Sequence, residues 1–189
     1  MLNIIDQTAV NAVSIIQNPL LDRIMIFFTT LGDNGIIWII LLIVLLSKKK
    51  TRNTGIVLLV TVITVFVFTD YLKGEFYRIR PYEYMNFLPK VETSGTSSFP
   101  SSHSSIAFAV FGIYYFYNLK YKYIIGAVAL IIAVSRFYLE VHYFTDVLAG
   151  MALGFAVSYI LFHISGLISK SVKINNLYIY KKFFAKEKQ

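Results

Sequence analysis

The stretch SRFYLEVHYFTD, Ser135 to Asp146, places Arg136, His142 and Asp146 at the junction of two apolar runs. Charge beside hydrocarbon is costly unless it pairs or faces water, so such a cluster marks a functional site. His142 and Asp146 are four residues apart, a spacing that shares one face of a helix. The carboxylate would then hold one imidazole nitrogen and leave the other as a nucleophile, the logic of catalytic triads; a structural His–Asp pair has the same spacing. Upstream, KGEFYRIRP brings Lys73, Arg78 and Arg80 together. Arginine offers a planar fork and lysine a point charge, which suits an anion clamp or, equally, lipid headgroups. Asp70, three residues before Lys73, is placed to pair with it. Between these stretches FPSSHSS, Phe99 to Ser105, directly precedes an apolar run. Its serines would cap a helix whose first amides form an anion site, and His103 in the first turn exchanges a proton near neutral pH.

The elements that must hold these groups are apolar. Of the 189 residues 57% are hydrophobic and 15% charged, with mean hydropathy +0.63, whereas a soluble domain averages about 45 to 50% and about 25%. The apolar residues fall in runs, so an all-α, polytopic membrane bundle of about six transmembrane helices is expected. An amphipathic interfacial helix over residues 1–18 leads into the bundle, 19–169, and a basic tail, 170–189. With no cysteine, a disulfide framework and a thiolate metal site are excluded. No basic region precedes the first apolar residues, so no cleavable signal peptide is expected.

Asn18 and Pro19 restart a helix that reaches Gly32, and Gly32-Asp33-Asn34-Gly35 reads as a turn. A single span from Ile24 to Ser47 would put Asp33 near mid-bilayer at roughly 2.5 to 3.5 kcal/mol, so a hairpin of two helices is preferred. Further spans are expected over 55–72, 101–117, 123–134 and 143–169. An outer loop, 82–98, holds Glu83, Pro89 and Gly95 and reads as a lid or as ordinary solvated chain. The net charge of +8 does not point to nucleic acid. Twelve basic residues collect in connectors 48–52 and 118–122 and in the tail, from Lys170 to Lys188, against five on the other side. By the positive-inside rule the twelve are cytoplasmic, which leaves the candidate site facing the periplasm or exterior of the inner (plasma) membrane. Gly150 and Gly154 give a GxxxG spacing suited to close helix packing, and a monomer is expected in preference to a homodimer.

Taken together, the three stretches resemble the signature of the type 2 phosphatidic acid phosphatase family, KxxxxxxRP, PSGH and SRxxxxxHxxxD. Lys73, Arg80 and Pro81 match the first motif, Pro100, Ser101 and His103 the second, and Ser135, Arg136, His142 and Asp146 the third. The departure is Ser102, where the family has glycine, a position that a helix cap also grants to serine. The resemblance implies that His142 attacks phosphorus to give a phosphohistidine, that Asp146 orients it, and that His103 protonates the leaving oxygen and then activates water. Lys73, Arg80, Arg136, Ser101 and Ser102 would bind the phosphoryl oxygens. It further implies a metal-independent, cofactor-free lipid phosphatase acting on undecaprenyl pyrophosphate, lipid A 1-phosphate, phosphatidylglycerophosphate or phosphatidic acid. A transporter or anionic-lipid-binding protein without hydrolysis is the alternative. Transporters tend to show internal repeats and broken helices meeting at the midplane, and no convincing repeat is present.

Overall fold

The computed structural model describes residues 4–93 and 96–186. Gly95 of the outer loop and Lys188 of the tail lie outside the described residues. The chain forms α1 (Ile4–Ile16), α2 (Pro19–Gly32), a 3-10 turn (Asp33–Gly35), α3 (Ile36–Ser47), α4 (Arg52–Glu75), α5 (Pro81–Tyr84), α6 (Ser102–Phe116), α7 (Lys122–Tyr138) and α8 (Phe144–Lys186).

Among the described residues two helices are long and apolar enough to cross a membrane, α4 and the Phe144–Ser171 part of α8. The pair α2 and α3 qualifies as a third when taken together. Ile39, Ile40 and Ile43 on α3 and Ile56, Val60, Ile63 and Phe66 on α4 are exposed, an apolar band of the kind a bilayer covers. Helix α2 starts where expected, because Asn18 Oδ1 accepts the Leu21 N–H at 3.0 Å and Pro19 occupies the first turn, where its missing donor costs nothing.

The junction of α2 with α3 corrects the expected hairpin. Gly35 takes φ +67°, which ends the 3-10 turn, but α2 and α3 meet at a bend of 46° instead of folding back on one another. The penalty that argued against a continuous path assumed an unpaired Asp33. In the structure its side chain is 43% exposed where it opens into a cleft of the bundle, and it is hydrogen-bonded to His103, so the carboxylate is not left in hydrocarbon.

Helix α6 is the centre of the bundle and packs against α4, α7 and α8. It has only 15 residues, about 22 Å at about 1.5 Å per residue. Its small residues set how near α8 can come. A Cβ on Gly150 would lie 2.6 Å from the Ser101 carbonyl oxygen, and one on Gly154 would lie 2.8 Å from the Ala109 nitrogen and overlap Ser105. The GxxxG pair of α8 therefore seats on Ser101, Ser105 and Ala109, four residues apart on α6. That seam joins the start of α6, carrying His103, to the start of α8, carrying Asp146.

Helix α1 does more than lie on a surface. Asp6 is fully buried and accepts the Thr145 N–H at 3.0 Å and the Thr145 hydroxyl at 2.7 Å. Val13 joins Tyr82, Tyr138, Leu139 and Val141 in a small apolar cluster. The N-terminal helix is thereby docked on the end of the bundle that carries the candidate residues.

Candidate active site

The candidate residues converge from four places in the chain. Lys73 sits on the last turn of α4 and Arg80 in the connector before α5. Ser102 and His103 open α6. Arg136 closes α7, His142 follows in the loop, and Asp146 lies in the first turn of α8. Glu140 takes a left-handed φ of 55°, and the N–H groups of Val141 and His142 both bond the Arg136 carbonyl at 3.2 Å. This C-terminal wrap of α7 turns the chain so that His142 points inward, 2% exposed.

Lys73, Arg80, Ser102, His103, Arg136 and His142 line one cleft of about 390 Å³ together with Asp33, Glu92 and Thr93, a volume in the range of small-molecule sites. Arg80 and Arg136 are buried and Lys73 is half-buried, and all three are anchored. Arg80 donates from Nε to the Thr96 carbonyl and from Nη1 to the Val141 carbonyl, both at 2.9 Å. Arg136 donates from Nη1 to Thr29 Oγ1 at 2.6 Å, while its buried Nε makes no hydrogen bond to any described residue. Lys73 donates from Nζ to the Ser97 carbonyl at 2.6 Å. The ion pair expected between Lys73 and Asp70 is not among those of the described residues.

The His142 ring is held differently from the expected pair. Its Nδ1 lies 2.7 Å from the Ser98 carbonyl oxygen and 3.8 Å from Asp146 Oδ2. The direct orienting contact is therefore a backbone carbonyl, with Asp146 behind it. A carbonyl can only accept, so Nδ1 carries the hydrogen and Nε2 the lone pair. Nε2 lies 3.4 Å from Arg80 Nη1. Burial, reinforced by the charges of Arg136, Arg80 and Lys73 and opposed by Asp146, pushes the His142 pKa down to about 3. The ring is neutral throughout the neutral range, with the lone pair on Nε2.

Asp146 is fully buried and accepts from the Ser98 hydroxyl, from Arg78 and, at 2.9 Å, from the Tyr143 N–H. Arg78 spans from Asp146 to Asp6 and lies 4.0 Å over the Tyr143 ring. It is accordingly removed from the expected anion clamp: two carboxylates already hold it, and it stabilises the charge of Asp146.

Ser101, expected to bind phosphate, is not among the residues lining the cleft. Its hydroxyl accepts from the Ser104 N–H at 3.4 Å and from the Ser104 hydroxyl at 2.9 Å. It caps α6 and is fully buried. Ser102 takes the first helical position of α6 and is not among the residues with positive φ. A Cβ is thus accommodated where the family signature has glycine, and the residue still lines the cleft.

Sequence reasoning missed Asp33, Thr29 and Ser98 as contributors, the last with both its hydroxyl and its carbonyl. Only Asp33 carried a signal in the sequence, as a carboxylate interrupting apolar residues.

A membrane helical bundle with this cleft defines a class, and the comparisons agree with it. The PAP2 superfamily model matches residues 54–169, and the chain belongs to that family. It is 32% identical over 162 residues to phosphatidylglycerophosphatase B of Bacillus subtilis (strain 168), covering 79% of this chain and 77% of that protein. It is 30% identical over 160 residues to the lipid A 4'-phosphatase of Porphyromonas gingivalis, covering 79% and 68%. The crystal structure of a transmembrane PAP2-type phosphatidylglycerolphosphate phosphatase from Bacillus subtilis superposes with a TM-score of 0.71 at 30% identity, covering 87% of this chain and 85% of that one.

Proposed function

We propose that the protein is a lipid phosphatase that hydrolyses a membrane lipid phosphate or pyrophosphate through a phosphohistidine, without a metal ion. The observation that carries this reading is the fixed tautomer of His142, whose Nδ1 is committed to the Ser98 carbonyl and whose Nε2 is left as a nucleophile in a cleft lined by Lys73, Arg80 and Arg136.

In the first step Nε2 attacks phosphorus in line and the bond from phosphorus to the leaving oxygen breaks. His103 gives that oxygen a proton. In the second step water attacks phosphorus and gives a proton to His103, and the bond from nitrogen to phosphorus breaks, releasing phosphate. The phosphorylated ring carries positive charge, which Asp146 at 3.8 Å stabilises. The three cations, with Ser102, neutralise the equatorial oxygens in the transition state, the part that a divalent ion plays in other phosphoryl-transfer sites.

The relatives are named for phosphatidylglycerophosphate and lipid A, and both belong with undecaprenyl pyrophosphate and phosphatidic acid as candidate substrates. Purified protein in detergent is expected to release phosphate from at least one of the four in excess EDTA. Release that requires an added divalent ion, or no release from any of them, would contradict the reading.

Sidedness follows from charge. The connectors 48–52 and 118–122 join the ends of α3 to α4 and α6 to α7, opposite the end that bears the cleft, and they hold six of the basic residues. The positive-inside rule makes that end cytoplasmic. With α2 and α3 as one bent span, five crossings put the cleft and α1 outside and the C-terminus inside. Leu88 is 90% exposed beside the cleft loop and the chain has no cysteine. A Leu88→Cys variant should react with an impermeant thiol reagent in intact cells; labelling only after lysis would invert the topology.

A further inference from the structure

The bend between α2 and α3 brings a carboxylate into the cleft. Asp33 Oδ1 lies 2.9 Å from Nε2 of His103. The contact is built from several sides. The Asp33 N–H bonds the Thr29 and Thr30 carbonyls and closes α2. Gly32 stands so near the imidazole that a Cβ there would lie 2.9 Å from His103 Cδ2 and 3.1 Å from Ile132 Cγ2. The same helix end holds Arg136 through Thr29 at 2.6 Å.

The chemistry of the cleft gives this contact a purpose. His103 shares the cleft with Lys73, Arg80 and Arg136, and burial, reinforced by the charges of Arg136 and Arg80, disfavours a protonated imidazole there. A general acid must nevertheless hold a proton when the leaving oxygen departs. Of the two carboxylates that line the cleft, Asp33 and Glu92, Asp33 is the one bonded to His103. A carboxylate accepts and cannot donate, so the contact also fixes a hydrogen on Nε2.

We propose that Asp33 is a positioning residue of the hydrolase: it orients His103 and favours the proton-donating form of that ring for departure of the leaving group. The balance is simple. The proton passes from the ring to the leaving oxygen, the ring becomes neutral, Asp33 keeps its charge, and the water of the second step returns a proton to the ring. The break in the span has its reason here, since an unbroken helix would not present Gly32 and Asp33 together to the start of α6.

The inference rests on the phosphohistidine reading above, and its test separates the two. Asp33→Asn keeps the shape and removes the charge. The readout is kcat/KM for two phosphate monoesters, a long-chain alkyl phosphate whose alkoxide must be protonated and 4-nitrophenyl phosphate whose anion leaves unaided. Asp33→Asn is expected to lower kcat/KM by about 30-fold or more on the alkyl ester and by less than about threefold on the aryl ester, the pattern of a weakened general acid. Equal losses on both esters, as for damage to the fold, or no loss on the alkyl ester would overturn the role of Asp33. Wild-type activity retained by His142→Ala in the same assay would instead overturn the phosphohistidine reading.

Discussion

Replacing His142 with alanine is expected to lower phosphate release by about 10⁴-fold or more, because the loss of a covalent nucleophile removes the reaction path itself. Binding should survive. Lys73, Arg80 and Arg136 are anchored to Ser97, Thr96, Val141 and Thr29, and of the three only Arg80 also meets the imidazole, at 3.4 Å. The variant should therefore still be protected from thermal unfolding by inorganic phosphate while it turns over no lipid. That combination separates lost chemistry from lost structure. A variant that hydrolyses at a tenth of the wild-type rate would place the nucleophile elsewhere.

Arg136 has the second large effect, and its sign on stability differs from its sign on activity. The side chain is 3% exposed, shares its cleft with two other cations and has a buried Nε without a hydrogen bond to any described residue. A buried, partly satisfied cation beside two like charges, with the cleft-exposed Asp33 as its opposite charge, is a poor stabiliser, and an apolar side chain of similar length is often neutral or better. Arg136→Met is expected to unfold at the same or a higher temperature than wild type when no phosphate is present. Its kcat/KM should nevertheless fall about 10²- to 10³-fold, the usual consequence of removing one oxyanion donor, and phosphate should protect it less. Arg136→Lys should recover only part of the activity, since a point charge does not reproduce the fork that reaches both Thr29 and an anion. A large drop in the unfolding temperature of Arg136→Met, with phosphate protection intact, would make Arg136 a structural residue instead.

These two residues also show what the sequence made legible. The catalytic groups stood out because phosphoryl transfer needs particular side chains at fixed spacing, and because charge is conspicuous among apolar residues. The helices followed from apolar runs and caps, as at Asn18 and Pro19, and the GxxxG pair of α8 read correctly as a packing seam. What stayed hidden was the choice of tertiary partner. His142 is oriented by the carbonyl of Ser98, and a carbonyl carries no side-chain signal. Arg78 and Arg80 look alike two residues apart, yet one is held by Asp6 and Asp146 and the other lines the cleft, a division settled by the docking of α1. Ser101 matches a motif position, and its hydroxyl oxygen accepts at the helix cap. The cost set against Asp33 in a bent span holds for a carboxylate in hydrocarbon and does not apply, because Asp33 opens into the cleft beside His103.

All of these assignments depend on a covalent bond between His142 and phosphorus. The most direct measurement is rapid quenching of purified enzyme mixed with a substrate labelled with radioactive phosphorus, in EDTA, followed by digestion and mapping of the labelled peptide. The account predicts a label on His142 that is stable to base and lost in acid, that rises before the first turnover is complete, and that is absent from His142→Ala. Turnover at the full rate with no label on the protein, or a label on another residue, would contradict it.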